Sequence, residues 1–170
     1  MRLDEIAKQR REDVYDTVCN IIIESGNNCQ ACFFLMREED LETVLAHPRS
    51  MLCTDSGVRG ASEVYHPRLR GSFPRALGRY VREHGVVSLP EMIRKMTSLP
   101  AMVFGMEGKG RLQVGYDADI CIFDPAVISD RCDYTHCHER SVGLNYVLVN
   151  GAVAAKDGVY TGARTGGVIA

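Results

Sequence analysis

The chain has 170 residues, 45% of them apolar and 25% charged, enough to bury the core of one domain or slightly more. Its 20 basic and 22 acidic residues are mixed along the sequence and leave a formal charge of -2, which disfavours nucleic acid and anionic membranes as partners. No apolar run approaches a membrane span, Met1-Arg2-Leu3-Asp4-Glu5 is too charged for a secretory signal, and seven cysteines form an odd set that suits reduced thiols, so a cytoplasmic protein is expected.

Apolar residues at Ile6, Val14, Val18, Ile21 and Ile22 predict helix between Leu3 and Glu24, with Asp13 placed to cap its second half. Ser25-Gly26-Asn27-Asn28 ends it. Cys32-Phe33-Phe34-Leu35-Met36 is a continuous apolar run of the kind a buried parallel strand shows. Arg37-Glu38-Glu39-Asp40 opens a helix through Leu45, with a solvated acidic first turn. Ser50-Met51-Leu52-Cys53-Thr54 is predicted to be a second buried strand, ending at Asp55-Ser56-Gly57. Cys19, Cys53 and Cys121 lie in apolar runs and are expected to pack as small core residues.

A loop rich in glycine and proline runs to Ser72. Pro74 suits the first position of a helix that ends at Gly85, and His84 is placed to favour that helix's carbonyl end. Ser88-Leu89-Pro90-Glu91 is a capping-box sequence. Met92, Met96, Met102 and Met106 follow at roughly helical spacing, which suggests core packing. Ala118–Asp124 is predicted to be a strand, and Asn150-Gly151 is a preferred two-residue hairpin turn between Tyr146–Val149 and Val153–Ala155. Asp157-Gly158 makes a further turn. The early rhythm is that of βα units and the late one that of an all-β module. Two βα units cannot close a barrel of typically about 250 residues.

Three stretches carry a resemblance. Leu45-Ala46-His47-Pro48 precedes Met51-Leu52-Cys53-Thr54-Asp55-Ser56-Gly57. The segment from His66-Pro67-Arg68 through Gly71-Ser72-Phe73-Pro74-Arg75 to Gly78-Arg79-Tyr80-Val81-Arg82 follows. The third runs from Met96-Thr97-Ser98-Leu99-Pro100-Ala101 through Gly110-Arg111-Leu112, Gly115-Tyr116-Asp117-Ala118-Asp119 and Phe123-Asp124-Pro125 to Val147-Leu148-Val149-Asn150-Gly151 and Thr161-Gly162-Ala163-Arg164. Together they resemble the N-acyl-D-amino-acid deacylase (D-aminoacylase) branch of the amidohydrolase superfamily over nearly the whole chain.

The resemblance implies an α/β fold: the C-terminal part of a (β/α)8 barrel, about its last two βα units, over residues 1–108, and a small β-sandwich over residues 109–170. It implies zinc-dependent hydrolysis of the amide of an N-acyl-D-amino acid, in which Asp55 matches the catalytic carboxylate and Arg68 the arginine that holds the substrate carboxylate. The family's metal ligands would precede Met1, so the chain alone is expected to bind no zinc. His136-Cys137-His138 offers only an adventitious candidate through His136 and His138, and Cys29-Gln30-Ala31-Cys32 is expected to be structural. The expected partners are an N-acyl-D-amino acid and either a chain carrying the missing barrel strands or further copies of this one. The alternative is a non-catalytic remnant that self-associates.

Overall fold

The computed structural model describes residues 1–57 and 65–168. It divides into two compact units, Met1–Leu35 and Met36–Ala170.

The first unit is a helical hairpin of α1 (Leu3–Arg10) and α2 (Val14–Glu24). Arg11 ends α1 in the left-handed region at φ 57°, and Asp13 starts α2 by accepting a hydrogen bond from the Tyr15 N–H at 2.8 Å, the cap anticipated from the sequence. Thr17 and Ala7 are buried in the hairpin, and Arg10 closes it through two hydrogen bonds to Glu24 of 2.8 and 2.7 Å.

Neither predicted buried strand forms a ladder. Cys32–Met36 is not in a strand, and Phe33 and Leu35 are 79% and 86% exposed. Ser50–Thr54 is likewise outside any strand, although the Leu52 N–H donates to the Lys95 carbonyl at 3.3 Å. A parallel strand is stable only with hydrogen-bonded neighbours and covered faces. Among the described residues neither run is part of a sheet. The cysteines also depart from expectation: Cys19, Cys53 and Cys121 are exposed, as are Cys29 and Cys32, whereas Cys132 and Cys137 are buried.

In the second unit, α3 (Glu38–Ala46), α4 (Arg68–Arg75), a π-helical segment (Ala76–Glu83), α5 (Leu89–Met96) and α6 (Ser98–Val103) precede the sheet. Pro74 lies inside α4 and does not begin a helix. Proline has no N–H to donate to the carbonyl one turn back, and the helix continues past it with the wider π spacing, as in the His84 N–H to Arg79 carbonyl bond of 2.8 Å. Ser88 caps α5 by accepting from the Glu91 N–H at 3.4 Å, but Glu91 turns to Arg94 instead of completing the box. Leu45, Ala76, Leu77, Tyr80, Met92 and Ile128 form the core. Met92 is fully buried while Met102 is 66% exposed, so the methionine series is only partly core.

Lys95 is 1% exposed. Its ammonium donates to the His47 carbonyl and to Ser50 Oγ at 2.9 Å, and burial pushes its pKa down. Arg94 adds a hydrogen bond to the Pro48 carbonyl at 2.6 Å. These two cations of α5 pin the turn from which the chain runs to Asp55.

The sheet is an antiparallel meander, β1 (Ile120–Phe123), β2 (Leu144–Val149), β3 (Ala152–Lys156) and β4 (Val159–Tyr160), in sequence order. Asn150 at φ 49° and Gly151 at φ 78° have the two positive values of the expected type I′ turn, and Asp157 and Gly158 repeat it at 48° and 75°. One sheet is present among the described residues. No helix among them is long and apolar enough to cross a membrane.

Candidate active site

Asp55 and Arg68, thirteen positions apart in sequence, meet. Arg68 Nη2 lies 3.1 Å from Asp55 Oδ2, with the two side chains 44% and 88% exposed. An ion pair this open to solvent adds little to stability. Asp55 adopts φ 45°, a left-handed conformation that a non-glycine residue takes at a cost and that clusters at functional positions. Most of the glycine- and proline-rich loop between them, residues 58–64, lies outside the described residues.

Arg68 opens α4 and is held from several sides. Its backbone N–H donates to His66 Nδ1 at 3.1 Å, and its carbonyl accepts from Ser72 Oγ at 2.8 Å. An Nδ1 that accepts must be unprotonated, so the neutral ring carries its proton on Nε2, 3.3 Å from the Tyr134 hydroxyl. The two rings meet edge to face at 5.1 Å. Burial, and secondarily the charge of Arg68, hold the His66 pKa below its ordinary value.

Beside Arg68 is a cleft of about 250 Å³. Its one wall is α4 and the residues before it; the other is the loop carrying Asp130, Cys132, Asp133 and Tyr134. Gly71 permits the close approach: a Cβ there would sit 2.8 Å from Cys132 Sγ. The Cys132 thiol donates to the Pro67 carbonyl at 3.2 Å. Arg75 reaches across to Asp130 at 3.3 Å. Nothing in the sequence alone pointed to this second wall, because it lies more than sixty residues downstream of Arg68; the paired small residues Gly71 and Cys132 are its only local trace.

The other anticipated residues are dispersed. His136 Nδ1 contacts Asp133 at 3.2 Å, which raises the His136 pKa. His138 Nδ1 pairs with the Tyr65 hydroxyl at 3.1 Å. Asp133 accepts from the Thr135 hydroxyl and N–H and from the His136 N–H, which hold its carboxyl well below the usual carboxylate range. His84 pairs with Glu42 at 2.6 Å, bridging to α3 and not simply facing its own helix end. Glu38, expected in a solvated turn, accepts from Arg79 Nε at 2.9 Å and the Tyr80 hydroxyl at 3.0 Å. Burial opposes its ionisation, but these bonds outweigh it and lower its pKa.

Glu38, Glu42 and His84 are the one group of three potential metal ligands found among the described residues. Their atoms are already engaged with Arg79, Tyr80 and each other, and the group does not include Asp55 or Arg68. A zinc centre of the kind the resemblance implies is built on clustered histidines, and the five here are each engaged separately or lie apart. Among the described residues, no donor set is arranged as such a centre requires.

Comparison with known proteins gives the family. D-aminoacylase from Alcaligenes xylosoxydans xylosoxydans is 39% identical over 168 residues, 99% of this chain and 33% of that protein. N-acyl-D-glutamate deacylase and N-acyl-D-aspartate deacylase from the same organism are 39% and 37% identical over 78% and 82% of this chain, and 27% and 28% of their own lengths. A solved structure of D-aminoacylase, described with a binuclear metal center, superposes with a TM-score of 0.81 at 38% identity, over 96% of this chain and 33% of that one. N-acyl-D-glutamate deacylase from Bordetella bronchiseptica, complexed with zinc and a phosphonate inhibitor, gives 0.77 at 36% identity, over 92% of this chain and 32% of that one. The chain therefore spans about a third of the length of these relatives. Residues 39–155 match the profile described as "Amidohydrolase family", and the chain belongs to that family.

Proposed function

We propose that this chain supplies the proton-transferring carboxylate and the carboxylate-binding arginine of an N-acyl-D-amino-acid deacylase, acting with a metal-binding portion that its own residues do not provide. The observation that carries this reading is the Asp55–Arg68 ion pair, a contact between two separated, exposed groups that stability does not require. In the free protein Arg68 holds Asp55. A substrate carboxylate would compete for the guanidinium fork and release Asp55, whose carboxylate would accept the proton of the attacking water and return it to the departing amine nitrogen.

On this reading the runs 32–36 and 50–54 become barrel strands when neighbouring strands are added, residues 1–108 belong to the barrel, and residues 109–170 contribute to a small β-sandwich. Backbone similarity to D-aminoacylase over 96% of the chain supports this placement. Relatives that act on D-glutamate and D-aspartate derivatives are about as similar as D-aminoacylase itself, so similarity leaves the side-chain preference open.

The test is reconstitution. The chain alone should not hydrolyse N-acetyl-D-methionine, and the chain combined with a segment carrying the remaining barrel strands and metal ligands should. An assembled, metal-loaded protein without hydrolytic activity on any N-acyl-D-amino acid would refute the reading. The exposure of Phe33 and Leu35 favours one other reading, a non-catalytic form that buries these faces by self-association. Size-exclusion chromatography separates the two, since only that form predicts a stable homo-oligomer whose assembly Leu35→Glu abolishes.

A further inference from the structure

The N–H groups that open α4 are not held alike. Those of Leu69, Arg70 and Gly71 donate to backbone carbonyls, of His66 at 3.1 Å and of Pro67 at 3.2 and 2.9 Å. The Arg68 N–H, the first of the helix, turns instead to a side chain, His66 Nδ1 at 3.1 Å. A helix-opening donor has no carbonyl one turn back to bond, so the imidazole supplies the acceptor. Pro67, between the two, has no N–H and holds φ at -52°, which keeps ring and N–H in register. The same tripeptide recurs at His47-Pro48-Arg49, where the Arg49 N–H donates to His47 Nδ1 at 3.2 Å. The contact is therefore written in the local sequence. The surroundings distinguish His66. The Tyr134 hydroxyl stands 3.3 Å from its Nε2, with the two rings edge to face, which ties the far side of the imidazole to the loop 130–134. The residue it holds is also the one whose guanidinium reaches Asp55 at 3.1 Å.

We propose that His66 is a positioning residue for Arg68: its neutral imidazole, held between the Arg68 N–H and the Tyr134 hydroxyl, fixes the first turn of α4 and so the point at which the guanidinium meets a substrate carboxylate. The inference rests on the assignment of Arg68 to that carboxylate given above. Protonation of Nδ1 would set one N–H against another and add a positive charge at a helix N-terminus, where it is disfavoured, beside the guanidinium. The first turn must then shift, and carboxylate binding weakens as pH falls. The other titrating groups named at the site act in the opposite sense or not at all. Asp55, once protonated, releases Arg68 and tightens carboxylate binding. Asp130 and Asp133, once protonated, remove opposing negative charge, and His136 and His138 gain positive charge. Arg68 and Arg75 stay charged across that range, while Cys132 and Tyr134 stay neutral.

The test is an NMR titration of the full chain with N-acetyl-D-methionine, read at the Arg68 amide and guanidinium and at the histidine ring nitrogens. It runs from about pH 7.5 to about pH 5, where a ligand carboxylate of ordinary pKa, about 3.5, stays ionised. At the upper pH His66 should be neutral with its proton on Nε2, and His47 gives an internal reference for the same contact. Binding should weaken by about three- to tenfold as the His66 ring gains its second proton, the scale of one lost hydrogen bond. His66→Leu, which offers no acceptor, should bind about three- to tenfold more weakly at both ends of the range. His66→Asn, whose side-chain oxygen can accept the N–H two residues on, should restore the affinity and remove the weakening on acidification; a ring needed only for packing would not be rescued in this way. A neutral His66 with its proton on Nδ1, an affinity that does not follow the His66 titration, or His66→Leu binding as tightly as the unaltered protein would overturn the positioning role while leaving Arg68 as the carboxylate site. Arg68 signals unmoved by N-acetyl-D-methionine at every pH would instead refute the carboxylate assignment, and the positioning role with it.

Discussion

Replacing Gly71 with alanine probes the contact on which the cleft depends. The new Cβ would lie 2.8 Å from Cys132 Sγ and 3.2 Å from Asp130 Cβ, and both neighbours are held, the thiol by its bond to the Pro67 carbonyl and the carboxylate by Arg75. Overpacking of this kind costs about 1–3 kcal/mol, offset by up to about 1 kcal/mol of helix propensity gained over glycine. The net expectation is a loss of about 0.5–2 kcal/mol, or a Tm lower by about 2–6 °C for a chain of this size. Cys132→Ala alone should cost about 1 kcal/mol through the lost hydrogen bond and thiol burial. The double variant is the decisive measurement. With Sγ removed the new methyl has room, so Gly71→Ala should be nearly neutral in the Cys132→Ala background, and urea or thermal unfolding should give a favourable coupling of about 1–2 kcal/mol. Costs that add to within about 0.5 kcal/mol would show that the helix and the loop do not press on each other there.

Lys95→Met should destabilise the second unit by about 1–3 kcal/mol, because the His47 and Ser50 acceptors lose their buried donor; an unchanged urea midpoint would contradict this. Gly143→Ala should cost more, about 2–4 kcal/mol, since φ is +79° and a Cβ would stand 2.5 Å from the Ile128 backbone nitrogen, which cannot rotate away; unfolding of the purified variant measures it. The lowered pKa of His66 gives a pH dependence with a definite sign. The folded protein binds fewer protons than the unfolded chain between the folded pKa and about 6.5, so stability is full above about 6.5 and falls as pH drops through that window toward the folded pKa. His66→Gln should flatten this slope, and a histidine ring titrating above 6.5 by NMR would reverse the argument.

The local grammar of the chain was legible wherever short-range chemistry decides structure. Asp13 and Ser88 cap helices because their oxygens reach nearby N–H groups, and Asn150-Gly151 and Asp157-Gly158 turn because they tolerate two positive φ values. The runs 32–36 and 50–54 form no ladder in this chain for the opposite reason: apolar composition signals burial, but what covers a strand comes from elsewhere in a fold. Pro74 was misplaced because a π segment can absorb its missing hydrogen bond, something the 3.6-residue period does not reveal. Of the candidate site, Asp55 and Arg68 are proposed from resemblance and not from spacing, since Asp before Ser-Gly is ordinary turn chemistry. Their direct contact, the support from His66 and Tyr134, and the wall at 130–134 are tertiary and left no periodic signal.

In the proposed assembly, turnover depends most directly on the carboxyl group of Asp55. Steady-state hydrolysis of N-acetyl-D-methionine by the assembled, metal-loaded enzyme, compared between the unaltered protein, Asp55→Asn and Arg68→Met, tests it directly. Asp55→Asn should lower kcat by about 10²–10⁴ with KM little changed, as expected for a lost proton-transfer group, while Arg68→Met should chiefly raise KM. A kcat for Asp55→Asn within about threefold of the unaltered enzyme, far short of a general-base effect, would place the chemistry on another residue.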